Sequence, residues 1–155
     1  MKILKFKKQS KDKYKLYLDD NSDITLYEDV IIKNNLLITK EISDELLEAL
    51  KKQNNDMYAY TLALGYISVK MRSIKEINDY LIKKGFNNLV ANKVSERLIK
   101  EGYLNDLKYA KSFINDSMNL TNKGPQKIKM ELIKYGVNKD IIESEIALID
   151  QRKIK

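Results

Sequence analysis

The sequence of 155 residues contains neither cysteine nor histidine. A chain without these residues forms no disulfide, no usual zinc site and no histidine-based acid–base pair. The sequence also lacks a run of about 20 apolar residues, the length that a membrane-spanning helix needs. Its lysine-rich start lacks the apolar core of a signal peptide. We therefore expect a cytoplasmic protein that is not an enzyme, needs no metal or cofactor and has no membrane partner.

The charge of the chain is basic and uneven. Lys and Arg number 29 against 22 Asp and Glu, which gives a net charge of +7. Residues 1–17 carry +6, residues 18–56 carry −6, and residues 57–104 and 105–155 carry +4 and +3. A basic surplus attracts polyanions such as nucleic acid. A lysine-rich solvated surface without a partner has the same composition, so charge alone leaves both interpretations open.

An internal repeat is the most informative pattern in the sequence. Residues 58–99 correspond to residues 109–150, which lie 51 positions later. Six of the eleven pairs that match residues 77–87 with residues 128–138 are identical, whereas chance gives about one in this composition. A period near 50 residues predicts two copies of one supersecondary unit, which we call module 1 and module 2.

The first forty residues have a different pattern. Residues 3–7 and 14–18 alternate apolar with polar side chains, which predicts a β-hairpin with one wet face. The run Asp19-Asp20-Asn21 predicts a turn, and residues 23–27 predict a third strand. Residues 28–34 are expected to be helical.

A connecting helix is predicted between this β-rich region and module 1. It begins at Ser43, and Asp44 and Glu45 lie in its first turn, where carboxylates suit the helix dipole. The polar run Asn54-Asn55-Asp56 predicts a linker. Asp56 is then expected to cap the first helix of module 1.

Each module is predicted to contain three short helices. In module 1, Ser73 and Glu76 have the spacing of a capping box at the start of the second helix. In module 2, Pro125 opens the second helix at a position where a missing N–H costs nothing. Gly85 and Gly136 end these two helices at the same phase and are expected to have positive φ angles. The other predicted helix caps are Asn87, Asn105 and Asn138.

These patterns together predict a mainly α-helical fold. Tandem three-helix repeats, similar to helix-turn-helix units, are expected to form an extended array after a small N-terminal β-hairpin or β-meander. The predicted parts are a β-rich region (1–40), a connecting helix and linker (41–56), module 1 (57–104), module 2 (105–150) and a tail (151–155).

Three segments carry more specific patterns, namely RSIKEINDYLIKKGF, ERLIKEGYLNDLKYAKSFI and NKGPQKIKMELIKYGV. In order and spacing these segments resemble the RecX family of recombinase regulators, and KDKYKLYLDD with IKNNLLITKEI resembles the β-rich lead-in of Gram-positive-type members. The matching positions are Arg72-Ser73, Glu76, Leu81, Lys84-Gly85-Phe86, Glu96-Arg97-Leu98, Gly102 to Asp106, Tyr109-Ala110, Lys123-Gly124-Pro125, Ile128, Glu131-Leu132 and Gly136.

The resemblance implies a protein that binds the RecA recombinase filament. Members of the family lie along the helical groove of the filament and bridge neighbouring RecA subunits. They suppress the ATPase, strand-exchange and coprotease activities of RecA, and many bind DNA directly. The family usually carries three modules, whereas this sequence ends soon after the second. Two interpretations stay open: a short member with two modules, or a truncated one in which residues 151–155 begin a third module. The resemblance therefore implies roles in homologous recombination, DNA repair and the SOS response.

Basic residues that recur between the modules are the candidate contact residues. Arg72 matches Lys123, and Lys83 matches Lys134, each near an end of the second helix. If the modules stack alike, the basic residues form a stripe that binds the RecA filament or non-specific single- or double-stranded DNA. A solvated helix face is the other interpretation. The other basic residues around the same helices are Lys70, Lys75, Lys84, Lys127 and Lys129. We expect the chain to be a monomer.

Tyrosines are a second candidate set, because aromatic rings stack on the bases of single strands. Tyr58 and Tyr109 precede alanine at the same phase of the repeat and are expected to pack instead. Phe86 and Phe113 are expected in the core. The remaining candidates are Tyr60, Tyr66, Tyr80, Tyr103 and Tyr135.

Two other functions stay open at this point. Three-helix units with basic charge also occur in sequence-specific DNA-binding proteins such as transcriptional regulators. Against that function, the second and third helices lack a compact set of Arg, Asn and Gln suited to reading bases. A scaffold that binds only protein explains the repeat but not the recurring basic residues.

Overall fold

A computed structural model of the chain describes residues 1–121 and 123–154, with the side chains of residues 150–154 left out. The fold is mainly α-helical, as predicted, and a small antiparallel sheet precedes the helices. The strands are β1 (Ile3–Ser10), β2 (Lys13–Leu18) and β3 (Asp23–Tyr27). The helices are α1 (Glu28–Lys33), α2 (Leu36–Thr39), α3 (Asp44–Val69), α4 (Ile74–Lys83), α5 (Asn88–Lys100), α6 (Asp106–Leu120), α7 (Pro125–Lys134) and α8 (Lys139–Ile154). None of the described helices is long and apolar enough to cross a membrane.

The sheet has the strand order β1-β2-β3, which confirms the predicted hairpin and third strand. Because side chains alternate between the faces of a strand, one face of β2 is apolar and faces inward. Leu16 and Leu18 on that face are buried, together with Leu26 of β3. They pack against buried residues of the following helices and the connecting segments, namely Val30, Ile31, Leu36, Ile42 and Leu50.

The two edge strands are hydrogen-bonded to groups outside the sheet. On β3, the Tyr27 N–H donates to Oδ1 of Asn54 (2.8 Å), and Nδ2 of Asn54 donates to the Thr25 carbonyl oxygen (3.3 Å). On β1, the Ile3 N–H donates to the Lys40 carbonyl oxygen (2.8 Å). The Asn54 side chain therefore bonds to β3 as a neighbouring strand would.

The connecting helix and the first helix of module 1 form one continuous helix, α3, of 26 residues. The linker expected at residues 54–56 is therefore wrong, and Asp56 lies inside the helix and does not cap its start. Asparagine has a low helix propensity, but tertiary contacts such as those of Asn54 override that preference. Ser43 does begin the helix, because its Oγ accepts a hydrogen bond from the Leu46 N–H (3.1 Å). The chain divides into two compact units, residues 1–61 and residues 62–155, and the boundary between them lies within α3.

The two modules repeat the same three-helix plan, with the last part of α3, α4 and α5 in module 1 and α6, α7 and α8 in module 2. Ile77 and Leu81 of α4 match Ile128 and Leu132 of α7, and all four side chains are fully buried. The predicted caps at Ser73, Asn87, Asn105 and Asn138 each accept a backbone N–H through their side chains. The helix α8 continues into the predicted tail (151–155), whose side chains and last residue lie outside the described residues.

Candidate functional site

Arg72, one of the predicted contact residues, is held inside module 1. Its guanidinium lies 3.8 Å from the centre of the Tyr66 ring and 3.7 Å from the Glu76 carboxylate. The side chains of this ion pair are only 14% and 15% exposed. Low exposure strengthens the interaction between the two charges and makes the loss of either one costly. Arg72 therefore stabilises the start of α4, a role that its sequence position did not indicate.

The ring of Tyr66 is covered on both faces. Tyr80 stacks on it with ring centres 4.0 Å apart and planes 4° apart. Arg72 lies 3.8 Å from the same ring centre. Two groups at that distance cannot share one face of a ring, so they occupy opposite faces. Tyr66 has no face left for a nucleobase, which removes it from the base-stacking candidates.

The repeat-matched tyrosines Tyr109 and Tyr58 have different environments. Tyr109 is 5% exposed and its ring centre lies 6.0 Å from Phe113 and 6.3 Å from Tyr135, which confirms its packing role. Tyr58 is 47% exposed, so the packing role expected for it is wrong. The reason is its position in α3, where it lines a groove beside β3 and does not enter a module core.

The start of α4 is hydrogen-bonded directly to module 2, and we call this contact the junction. The hydroxyl of Ser73, which is fully buried, donates to the Tyr135 carbonyl oxygen (2.7 Å). The Ile74 N–H donates to the Asp106 carboxylate (2.9 Å). Groups at helix ends have no partner within their own helix. The junction therefore satisfies the end of α7 and the start of α4 at once, and the sequence predicted only the capping box.

Lys75 crosses the same junction. Its Nζ donates to the Lys134 carbonyl oxygen (3.2 Å), and its aliphatic chain passes directly over Gly136. A Cβ at Gly136 would lie 2.6 Å from Cβ of Lys75. Gly136 also has a φ of +79°, as predicted, so glycine is required there for conformation and for space. Gly85 has a φ of +101°, but a Cβ there would meet no atom within 4 Å.

Burial at the junction shifts two titrating groups in the same direction. Desolvation raises the pKa of Asp106 despite the hydrogen bond from the Ile74 N–H, and the negative charge of Glu76 adds to the shift. Desolvation also raises the pKa of the Tyr109 phenol, and Glu76 adds to that shift through its charge and a hydrogen bond. The Glu76 carboxylate therefore influences three neighbours, of which only Arg72 carries an opposite charge.

A groove at the junction gathers four of the predicted basic residues, Lys75, Lys83, Lys84 and Lys134. The groove encloses about 620 Å³ and is also lined by Tyr80 and Tyr135. Lys83 and Lys134 occupy equivalent positions of the two modules, so the repeat brings matched lysines to one place. We call this surface the junction groove.

The junction groove has a surplus of positive charge. Of its two carboxylates, Glu76 is paired with Arg72, and Asp79 lies 3.9 Å from Nζ of Lys75. Among the described residues, no carboxylate pairs with Lys83 or Lys134, and both side chains are exposed. Exposed, unpaired ammonium groups remain available to an anionic partner.

The remaining predicted residues lie outside the junction groove. Lys70 and Lys123 line a separate depression of about 450 Å³ beside α6. Lys123 is also held within its own module, since its Nζ lies 2.9 Å from Glu131 and 5.8 Å from the centre of the Phe113 ring. Lys127 and Lys129 lie on α7, two residues apart and therefore on different sides of the helix. Contact with a partner stays a prediction for all nine residues.

This arrangement defines a class of protein, a tandem array of three-helix modules with exposed lysines gathered at the junction. The described residues contain no group of three or more acidic side chains that could hold a metal ion. Two family models match the modules, "RecX, first three-helix domain" at residues 59–98 and "RecX, second three-helix domain" at residues 105–144.

The chain is similar to a curated protein and to two solved structures. It is 40% identical over 150 residues to the regulatory protein RecX of Streptococcus uberis, an alignment that spans 97% of this chain and 58% of that protein. A crystal structure of a regulatory protein RecX matches with a TM-score of 0.86 at 24% identity, over 96% of this chain and 73% of the other, and shows the shared fold. The crystal structure of RecX from Lactobacillus salivarius matches with a TM-score of 0.59 at 31% identity, over 62% of each chain.

The chain belongs to the RecX family of regulatory proteins. It spans a little over half the length of the curated relative from Streptococcus uberis. The two three-helix modules predicted from the internal repeat thus match the first and second three-helix domains of this family.

Proposed function

We propose that the chain is a non-enzymatic regulator of the RecA recombinase that binds the RecA–DNA filament through the junction groove. The observation that carries the proposal is the meeting of Lys83 and Lys134 in that groove. The lysines come from equivalent positions of two RecX modules, and they are exposed and without a carboxylate partner among the described residues. A filament of protein and DNA is a repeating, negatively charged partner, which suits a repeating basic surface.

The proposed regulation follows from differential binding. A ligand shifts a conformational equilibrium only when it binds one state more tightly than the other. The chain therefore inhibits RecA by binding a less active state of the filament more tightly than the active state. Several weak contacts along the filament add through effective concentration, so no single contact needs to be strong. The site of action is the cytoplasm, where RecA meets DNA, and the chain acts as a monomer.

The test is the single-strand-dependent ATPase activity of RecA, measured against the concentration of the chain. We expect Lys83→Glu with Lys134→Glu to raise the concentration for half-inhibition by about tenfold, because two favourable charges become repulsive. The matched control is Lys100→Glu with Lys108→Glu, which makes the same change in net charge at exposed positions outside the groove. We expect this control to inhibit as the wild type does, within about threefold.

Three results would contradict the proposal. The first is an absence of inhibition by the wild type under conditions where a longer RecX protein inhibits. The second is an equal loss of inhibition in the two charge-reversal variants, which would reduce the effect to net charge. The third is a strong preference of the chain for one duplex sequence over random DNA, which would identify a sequence-specific DNA-binding protein.

A further inference from the structure

The N-terminal sheet has an outward face opposite its apolar face. Leu16 and Leu18 of β2 are buried. The residues that alternate with them, Lys13, Lys15 and Tyr17, therefore lie on the other face of the strand. The β1–β2 register adds residues of β1 that lie opposite these positions. We call this surface the outer sheet face, and its basic and aromatic members are Lys5, Lys7, Lys13, Lys15 and Tyr17.

In the part of the chain that the structure describes, the lysines of the outer sheet face have few carboxylate partners. The β2–β3 register places one carboxylate on this face, Asp23, 3.9 Å from Lys15. An exposed pair of this kind contributes little to stability. Lys7 lies directly opposite Lys15 in the register, and like charges in opposite positions destabilise a sheet. A surplus of positive charge that weakens the sheet points to an anionic ligand.

Tyr17 lies among these lysines. Its ring centre lies 6.0 Å from Nζ of Lys5 and 5.3 Å from Nζ of Lys15, and its side chain is partly exposed. An aromatic ring flanked by ammonium groups suits single-stranded nucleic acid, because a base stacks on the ring and phosphates meet the lysines. The bases of a duplex are already stacked on one another, so the ring adds no affinity for a duplex.

The outer sheet face continues into a groove beside β3. Lys13 lies on the same face of β2 as Tyr17, four residues or about 13 Å away. Its Nζ lies 5.9 Å from the centre of the Tyr58 ring, which is 47% exposed. The groove encloses about 500 Å³ and is also lined by Lys51 and Asn54. Tyr17, which is partly exposed, and Tyr58, which is 47% exposed, thus lie along the same line as Lys13 and Lys15.

We propose that the outer sheet face and this groove bind single-stranded nucleic acid. One base stacks on Tyr17 and a second on Tyr58, while phosphates contact the lysines of the outer sheet face. Binding tolerates any sequence, because every base has a face that can stack. The site lies within residues 1–61 and includes neither Lys83 nor Lys134, on which the proposed RecA regulation depends.

The experiment measures fluorescence anisotropy with a labelled oligo-dT strand of about 15 nucleotides, a length within the usual site sizes. It is carried out in the Lys83→Glu, Lys134→Glu background, which removes the junction groove as a second site. We expect Tyr17→Leu and Tyr58→Leu each to weaken binding by about fivefold to tenfold, and Tyr17→Phe to bind as the parent does. The matched control is Tyr103→Leu, because Tyr103 is 54% exposed but lies outside residues 1–61.

A second measurement follows the salt dependence of the same binding. We expect Lys5→Gln, Lys7→Gln and Lys15→Gln together to lower the slope of log affinity against log salt by about 2, since each phosphate contact on a single strand contributes about 0.7. Thermal unfolding of every variant shows whether the sheet is intact, and the salt dependence of the lysine variant still tests the site if a leucine variant unfolds.

Each remaining outcome overturns the proposal. Equal affinity of the parent, the leucine variants and the control would remove the stacking role of the tyrosines. Tighter binding of a duplex of the same length would exclude a single-strand site. Competition by poly-glutamate as effective as competition by unlabelled oligo-dT would identify an acidic protein as the partner. The anisotropy measurement contains no RecA, so its outcome is independent of the ATPase test of the proposed function.

Discussion

The two modules have matched cores but differ at the start of their second helices. In module 1, the Ser73 side chain caps α4 and is fully buried at the junction. In module 2, Gly124 occupies the corresponding position before α7, is exposed and provides no side-chain cap. The same helix start therefore serves as a contact in one copy and as surface in the other. Copies of a module keep the residues that bury their core and diverge where one copy contacts the next.

The same comparison explains the two repeat-matched cations. Arg72 is sandwiched between Tyr66 and Glu76, with a side-chain exposure of 14%. Lys123 pairs with Glu131 near Phe113, with a side-chain exposure of 29%. Both cations hold the start of a second helix to an aromatic ring and a carboxylate, although different residues supply these groups in each module.

The largest effect is expected from the two glycines that end the second helices. We expect Gly136→Ala to lower the free energy of unfolding by about 3 kcal/mol and Gly85→Ala by about 1 kcal/mol. Both substitutions strain a backbone with positive φ, but only the alanine at 136 collides with Lys75. Urea denaturation followed by circular dichroism measures both values. Equal losses would show that Lys75 moves aside without cost and that the junction is not tightly packed there.

A smaller effect is expected from the two cations. We expect Arg72→Met to cost about 2 kcal/mol, because it leaves the mostly buried Glu76 without a partner. Lys123→Met is expected to cost less than about 1 kcal/mol, because its pair with Glu131 is more exposed. The measurement is again urea denaturation. Arg72→Lys separates charge from stacking, since lysine keeps the charge but loses the planar contact with Tyr66. A larger loss for Lys123 than for Arg72 would reverse the assigned roles.

The smallest effect concerns pH and Asp106. Because burial raises the pKa of Asp106 above the ordinary value of 3.8, the folded chain binds a proton at pH values where the unfolded chain has lost it. The contribution of this group to stability is therefore fully present below pH 3.8 and decreases as the pH rises through the higher pKa of the folded chain. We expect Asp106→Asn to remove this decrease while its amide oxygen still accepts the Ile74 N–H. Thermal unfolding against pH for both chains is the measurement, and parallel curves would contradict the assignment.

The sequence predicted the elements whose signals are local. The caps at Ser73, Asn87 and Asn105 and the positive φ of Gly85 and Gly136 depend on a few neighbouring residues, and all are confirmed. The linker at residues 54–56 was wrong because Asn54 has a partner distant in sequence, the edge of β3. A local pattern cannot indicate that partner.

The candidate site could be predicted only in part, for the same reason. The 51-residue period found Lys83 and Lys134 as a matched pair, and the structure places both in the junction groove. The period also selected Arg72, but the sequence did not indicate that its guanidinium contacts the Tyr66 ring and the Glu76 carboxylate. A matched position in the repeat therefore selects basic residues of both kinds. It does not separate those that stabilise a module, such as Arg72, from those that remain exposed, such as Lys83 and Lys134.

The amide of Asn54 has a consequence for the behaviour of the chain at high concentration. An unpaired edge strand is a template on which a strand of another molecule can add, and such addition leads to aggregation. On β3, the backbone N–H of Tyr27 and the carbonyl oxygen of Thr25 are already bonded to Asn54. One side chain on a neighbouring helix thus protects this edge of a three-stranded sheet from intermolecular strand addition.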